Sequence, residues 1–79
     1  MAFDEQRFQA VVMQSLQITE KQFRRDLRLG DIDEWDSVAH LDLVASIEQA
    51  FAVRFRAEDI VEITSLEELR TRILASQTS

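Results

Sequence analysis

An all-α fold is predicted, a small bundle of three main helices with a short one third in chain order. Proline is absent, Gly30 is the only glycine, and apolar residues recur at helical spacing in separate stretches. Strands joined by tight turns usually need Gly, Asn or Pro, so the scarcity of breakers argues for helices. The 79 residues form one domain, residues 1–79, because so short a chain cannot divide its apolar side chains between two cores. An apolar content of 46% supports a compact core and argues against intrinsic disorder. With no cysteine there is neither a disulfide nor a thiolate-metal staple, and stability must come from helix packing.

The first helix is expected from about Asp4 to Leu16, with Asp4 as N-cap and Phe8, Val11, Val12, Ser15 and Leu16 at helical spacing. A long connection, Ile18 to Asp36, follows. Its apolar anchors are Phe23, Leu27, Leu29, Ile32 and Trp35, and it ends in the acidic group Asp31, Asp33, Glu34 and Asp36. Loops this long are often functional; here the anchors are expected to pin it across the bundle while it presents Ser37. The second helix spans Ser37 to Phe51, a link covers Ala52 to Arg56, and a brief third helix runs from Ala57 to about Ile63. Thr64-Ser65-Leu66-Glu67 has the form of a capping box and opens the last helix, with Leu66, Leu69, Arg70, Ile73 and Leu74 in period. A polar tail from about Ala75 is expected to fray.

The second helix has two apolar faces when residues are placed at 100° steps. His40, Leu43, Val44, Ile47, Ala50 and Phe51 form the broad one, which is the expected core face. Val38, Leu41 and Ala45 form a narrow stripe bordered by Asp42, Glu48 and Gln49. That stripe is either a docking surface beside Ser37 or is covered by the third helix or the loop.

Ser37 opens this helix. Unpaired backbone N–H groups and the helix dipole favour an anion there. The dipole contributes only about 0.3–1 kcal/mol, too little to hold a prosthetic group, so a phosphate kept at this position must be covalent. The stretch Trp35-Asp36-Ser37-Val38-Ala39-His40-Leu41-Asp42-Leu43-Val44 resembles the phosphopantetheine-attachment segment of acyl carrier proteins. The resemblance extends through Glu48 and Phe51, Val53-Arg54-Phe55, Glu58-Asp59-Ile60 and Thr64-Ser65-Leu66-Glu67-Glu68-Leu69. It implies an acyl-carrier-like four-helix bundle without catalytic activity of its own. Ser37 would be esterified to 4′-phosphopantetheine, and acyl intermediates would ride as thioesters on its thiol. Asp36 would position the serine for a phosphopantetheinyl transferase, while Val38, Leu41, Asp42, Ala45 and Glu48 would dock an acyl-activating ligase, ketosynthase or acyltransferase. The family's housekeeping fatty-acid members have a more acidic second helix. Ala39, His40, Gln49 and Ala50, with Arg54 and Arg56 just beyond, point instead to a specialised carrier for fatty-acid, polyketide or related biosynthesis. A peptidyl or aminoacyl carrier for an amide-forming ligase or synthetase has the same pattern, and an unmodified helical interaction module is the alternative without a cofactor.

Other chemistries fit less well. His40 lies three residues after Ser37, but no nucleophile elbow precedes the serine and no carboxylate completes a triad; His40 is expected to pack beside Trp35 on the core side. Asp31-x-Asp33 begins like a calcium loop, yet Trp35, Asp36 and Asp42 occupy its fifth, sixth and twelfth positions. That leaves at most loose divalent-ion binding and no defined metal site. Trp35 is either an interface anchor or a cap on the core. A net charge of −6 argues against nucleic acid. No apolar run approaches the roughly 20 residues of a membrane span, and the N-terminus lacks a basic stretch followed by an apolar one. A cytoplasmic monomer is the expectation.

Overall fold

The structure, a computed structural model, describes residues 4–77. Four helices follow in order: α1 Glu5–Leu16, α2 Ser37–Phe51, α3 Ala57–Glu62 and α4 Leu66–Gln77, with no strand among the described residues. Met1 to Phe3, part of the N-terminal segment considered above, lie outside the described residues, as do Thr78 and Ser79 of the polar tail. The described part of that tail is helical, the last turn of α4.

Each main helix buries one stripe. Phe8, Val12 and Leu16 of α1 meet Leu43 and Ile47 of α2 and Leu66, Leu69 and Ile73 of α4. Their spacings of three and four residues place them on single helix faces. Ile18, Leu27 and Trp35 from the long connection, Val53 from the link and Ile63 after α3 complete the core. No residue of α3 is fully buried.

With one glycine available, both α1 and α2 end on other residues in the left-handed conformation, Gln17 (φ 57°) and Ala52 (φ 55°). Each costs about 1–2 kcal/mol relative to right-handed backbone. The bonds gained offset that cost: the N–H groups of Gln17 and Ile18 both donate to the Met13 carbonyl, and those of Ala52 and Val53 to the Glu48 carbonyl. Carbonyls left over at the helix ends are thereby satisfied. Ile18 and Val53 are buried directly after these turns.

The long connection is held at several points. Leu29 N–H donates to the Thr64 carbonyl at 2.8 Å and Leu66 N–H to the Leu27 carbonyl at 3.0 Å, a single antiparallel bridge around Arg28 and Ser65. The second bond satisfies the first N–H of α4, which has no partner within its own helix. Gly30 (φ 91°) turns the chain between Arg28 and Asp31, and its N–H returns to the Trp35 carbonyl. No neighbouring atom crowds it, so backbone conformation and not space requires glycine there.

The cap of α4 lies one residue later than the sequence pattern suggested. Ser65 Oγ accepts from the N–H of Glu68 at 3.1 Å, and the Glu68 carboxylate accepts from the hydroxyls of Thr64 (2.9 Å) and Ser65 (3.4 Å). The bridge to Leu27 and Leu29 fixes Ser65 as the last extended residue, which moves the cap from Thr64 to Ser65. The hydroxyl of Thr64, above all, holds the Glu68 carboxyl below its usual range.

Charged contacts join the helices. Arg70 of α4 is buried over the Phe8 ring at 4.7 Å; its Nε lies 2.8 Å from Glu5 Oε1, and Nη2 donates to Glu5 Oε2 at 3.2 Å. Arg72 pairs with Asp59 and lies 3.7 Å from Glu62, tying α4 to α3.

The two apolar faces of α2 differ sharply in exposure: Ile47 is wholly buried, whereas Leu41 is 60% exposed. Ile47→Ala is therefore expected to lower unfolding free energy by about 2–5 kcal/mol in urea titration, and Leu41→Ala to change it by less than about 0.5 kcal/mol, as for other surface substitutions. Equal losses would mean that the stripe of Leu41 is part of the core.

Candidate functional site

The site is built on the last turn of the long connection. Trp35 is fully buried and therefore part of the core; the interface-anchor reading does not apply to it. Its indole N–H donates to His40 Nδ1 at 3.1 Å, with the two ring planes 30° apart and their centroids 6.0 Å apart. The other ring nitrogen of His40, Nε2, lies 3.0 Å from the carbonyl oxygen of Ile60 in α3. His40 thus joins the loop, α2 and α3, on the core side as its sequence position implies.

Asp36 follows as the N-cap of α2. Its Oδ1 accepts from the N–H of Ala39 at 2.9 Å, and its carbonyl accepts from the N–H of His40 at 2.9 Å. The carboxylate is thus turned into the helix. Ser37 is the first helical residue and is exposed; its hydroxyl and the N–H groups of Ser37 and Val38 have no partner among the described residues. The capped start of α2 therefore holds up an exposed hydroxyl.

The surroundings are acidic. A shallow groove beside the serine runs between Leu16 and Gln17 at the end of α1, the loop residues Asp33, Glu34 and Asp36, and Val38 and Asp42 of α2. The amide of Gln22 donates to Glu34 at 3.0 Å and holds its carboxyl below the usual range. Asp31 accepts from the N–H of Arg28 at 2.9 Å and lies 3.5 Å from Arg24. The acidic loop thus spends much of its charge on its own folding, and no three His, Cys, Asp or Glu side chains converge on a metal position among the described residues. A free phosphate would find no basic side chain in this groove.

The proposed docking residues fall into two groups. Val38 is 72% exposed and Leu41 60%, with Ala45 and Asp42 exposed on the same helix, so neither α3 nor the loop covers the stripe. Val61 of α3 is 78% exposed as well. Glu48 is half-buried, and its Oε2 accepts from the N–H of Phe55 at 2.8 Å. It therefore braces the link between α2 and α3, a role that no local sequence signal announced. The chain matches no model of a known protein family and no curated protein.

Two substitutions separate the pedestal from the hydroxyl that it carries. Asp36→Ala is expected to cost about 0.5–2 kcal/mol in thermal or urea unfolding, the usual loss on removing an N-cap. Ser37→Ala is expected to stay within about 0.5 kcal/mol of the parent, because its side chain holds nothing. A Ser37→Ala loss as large as that of Asp36→Ala would show that the hydroxyl is structural.

Proposed function

We propose that this chain is a carrier whose Ser37 Oγ bears a 4′-phosphopantetheine arm. The reading is carried by one observation, the exposed and unpartnered hydroxyl of Ser37 on the first turn of α2, held by a capped and buried approach. The resemblance of Trp35 to Val44 to carrier attachment segments supports the same residue.

In the attachment step Ser37 Oγ bonds to phosphorus, the pyrophosphate bond of coenzyme A breaks, and adenosine 3′,5′-bisphosphate leaves. The hydroxyl proton goes to a base on the transferase, since Asp36 is already engaged by Ala39 N–H. Asp36 acts by fixing the backbone from which the hydroxyl projects. When bound, the arm supplies the thiol that a cysteine-free chain lacks, for carrying acyl groups as thioesters. Val38, Leu41 and Ala45, bordered by Asp42, offer an apolar contact with an acidic edge to an acyl-activating ligase, ketosynthase or acyltransferase. Such an edge sets encounter rate and partner choice more than affinity. Cargo on this reading is acyl, for fatty-acid, polyketide or related synthesis, and a peptidyl or aminoacyl carrier would use the same residues. Among the described residues no helix is long and apolar enough to cross a membrane; a cytoplasmic monomer is part of the proposal.

An unmodified interaction module is the second reading, favoured by the exposure of Val38, Leu41 and Val61. Intact mass decides between the two. Incubation with coenzyme A, magnesium and a promiscuous phosphopantetheinyl transferase is expected to add one arm to the parent and none to Ser37→Ala. Modification that persists in Ser37→Ala refutes the assignment, and an unmodified parent favours the interaction module.

A further inference from the structure

The groove beside Ser37 continues past the serine. Ser15 and Asp42 line it, and both also line a second groove, between α1 and α2, whose other walls include Gln14, Ala45, Ser46 and Gln49. The second groove has a volume of about 620 Å³, within the roughly 300–1,000 Å³ of small-molecule sites. On the same pair of helices the Arg7 guanidinium donates to the Ala50 carbonyl at 3.1 Å and ties α1 to the last turn of α2. A continuous track therefore leads from the first turn of α2 toward its last.

The chemistry of this track changes along its length. Asp33, Glu34, Asp36 and Asp42 crowd the end near the serine, and beyond Asp42 the α1/α2 groove has no charged lining residue among those described. What remains are amides, hydroxyls and small apolar side chains. The polar ones are not used by the fold: the side chains of Gln14, Ser46 and Gln49 make no hydrogen bond among the described residues. Gln22, Thr64 and Ser65, by contrast, spend theirs on the loop and on the α4 cap. Water reaches the exposed Gln14 and Gln49. It does not reach Ser15 Oγ, which is buried without a hydrogen-bond partner, a condition that native structures seldom leave unanswered. A serine hydroxyl can turn to serve either a donor or an acceptor.

We infer that the α1/α2 groove is a binding site for the pantetheine arm at rest, held through Gln14, Ser15, Ser46 and Gln49. The inference rests on the carrier reading of Ser37. A lining of this kind suits a ligand that is uncharged, bears amides and is tethered at the acidic end; a free anion is repelled there. Beyond its phosphate the arm is uncharged, with two amides and a hydroxyl for the polar side chains and two geminal methyl groups for Ala45. The lengths agree. Gln49 lies twelve residues along α2 from Ser37, about 18 Å at the helical rise. About fourteen bonds separate a serine oxygen from the thiol sulfur, ~16 Å at the spacing of extended chain. Leu41 and Val61 line neither groove and stay exposed, so an arm at rest leaves that apolar surface open to a partner.

The test compares the full chain by NMR before and after loading from coenzyme A by a promiscuous transferase, with intact mass confirming that one arm is attached. In the loaded chain the geminal methyl protons are expected to show nuclear Overhauser contacts with the side-chain amide of Gln14. The methylene protons beside the thiol are expected to show them with the side-chain amide of Gln49 and the methyl of Ala50, which lines the same groove. Backbone amides of Ser15 and Ser46 are expected to shift from their positions in the unloaded chain. Gln49→Ala changes an exposed helical residue and is expected to load as the parent does. Its contact between the thiol end and Ala50 is expected to weaken about fivefold, the loss of roughly one net hydrogen bond. Arm contacts with Leu41 or Val61 in place of Gln14, an arm that touches nothing beyond Ser37, or an undiminished Ala50 contact in Gln49→Ala would each overturn the inference and leave the carrier reading standing. A parent that accepts no arm would overturn the carrier reading and this inference with it.

Discussion

Between α1 and α2 the chain must cross the bundle without regular secondary structure, and what closes that stretch is the burial of Trp35 against His40. Truncating a buried aromatic side chain of this size costs about 3–5 kcal/mol, and stranding one buried N–H about 1–3 kcal/mol. Ring burial is therefore the larger effect and anchors the loop, while the hydrogen bond to His40 decides how the ring is turned. From that anchor follow the position of Asp36 as N-cap, the start of α2 at Ser37, and the contact to Ile60 that holds α3. Leu27 and Leu29, paired with the backbone before α4, secure the other end of the same loop.

This arrangement separates stability from presentation. The buried side of α2 carries Leu43, Val44 and Ile47, and its cap is Asp36, so neither depends on Ser37, Val38 or Leu41. Those three residues are exposed and carry none of the core. On the proposed carrier reading, exposed Val38 and Leu41 beside the Ser37 hydroxyl are the docking contact, whereas scattered single apolar side chains would need no explanation. The acidic loop plays a similar double part. Glu34 and Asp31 bind the loop to itself through Gln22, Arg24 and Arg28, and Glu34 also lines the groove beside the serine.

Much of this was legible in the sequence because helix periodicity and capping are local. The bounds of α1 and α2, the Asp4 cap and the inward face of α2 follow from residues three and four apart. The placement of His40 beside Trp35 was also readable, since both lie near the start of one helix. What the sequence could not supply comes from contacts between distant segments. The Arg28–Ser65 bridge moved the α4 cap by one residue, and the acceptance of Phe55 N–H by Glu48 gives an expected docking residue a bracing contact as well. Left-handed backbone at Gln17 and Ala52 is equally nonlocal in origin, because neither residue type favours it and the turns that follow are fixed by burying Ile18 and Val53.

The central claim is that the long connection is part of the folded core and not a flexible tether for Ser37. Native-state hydrogen exchange at neutral pH tests it most directly, read at the amides of Leu29, Gly30 and Leu66, whose bonds close the loop on itself and on α4. The account predicts that these amides open with nearly the same free energy as the buried amides of Leu43 and Ile47, as members of one cooperative unit. Exchange at Leu29 and Gly30 faster by a hundredfold or more, about 2.7 kcal/mol of local opening at 1.36 kcal/mol per factor of ten, would contradict it.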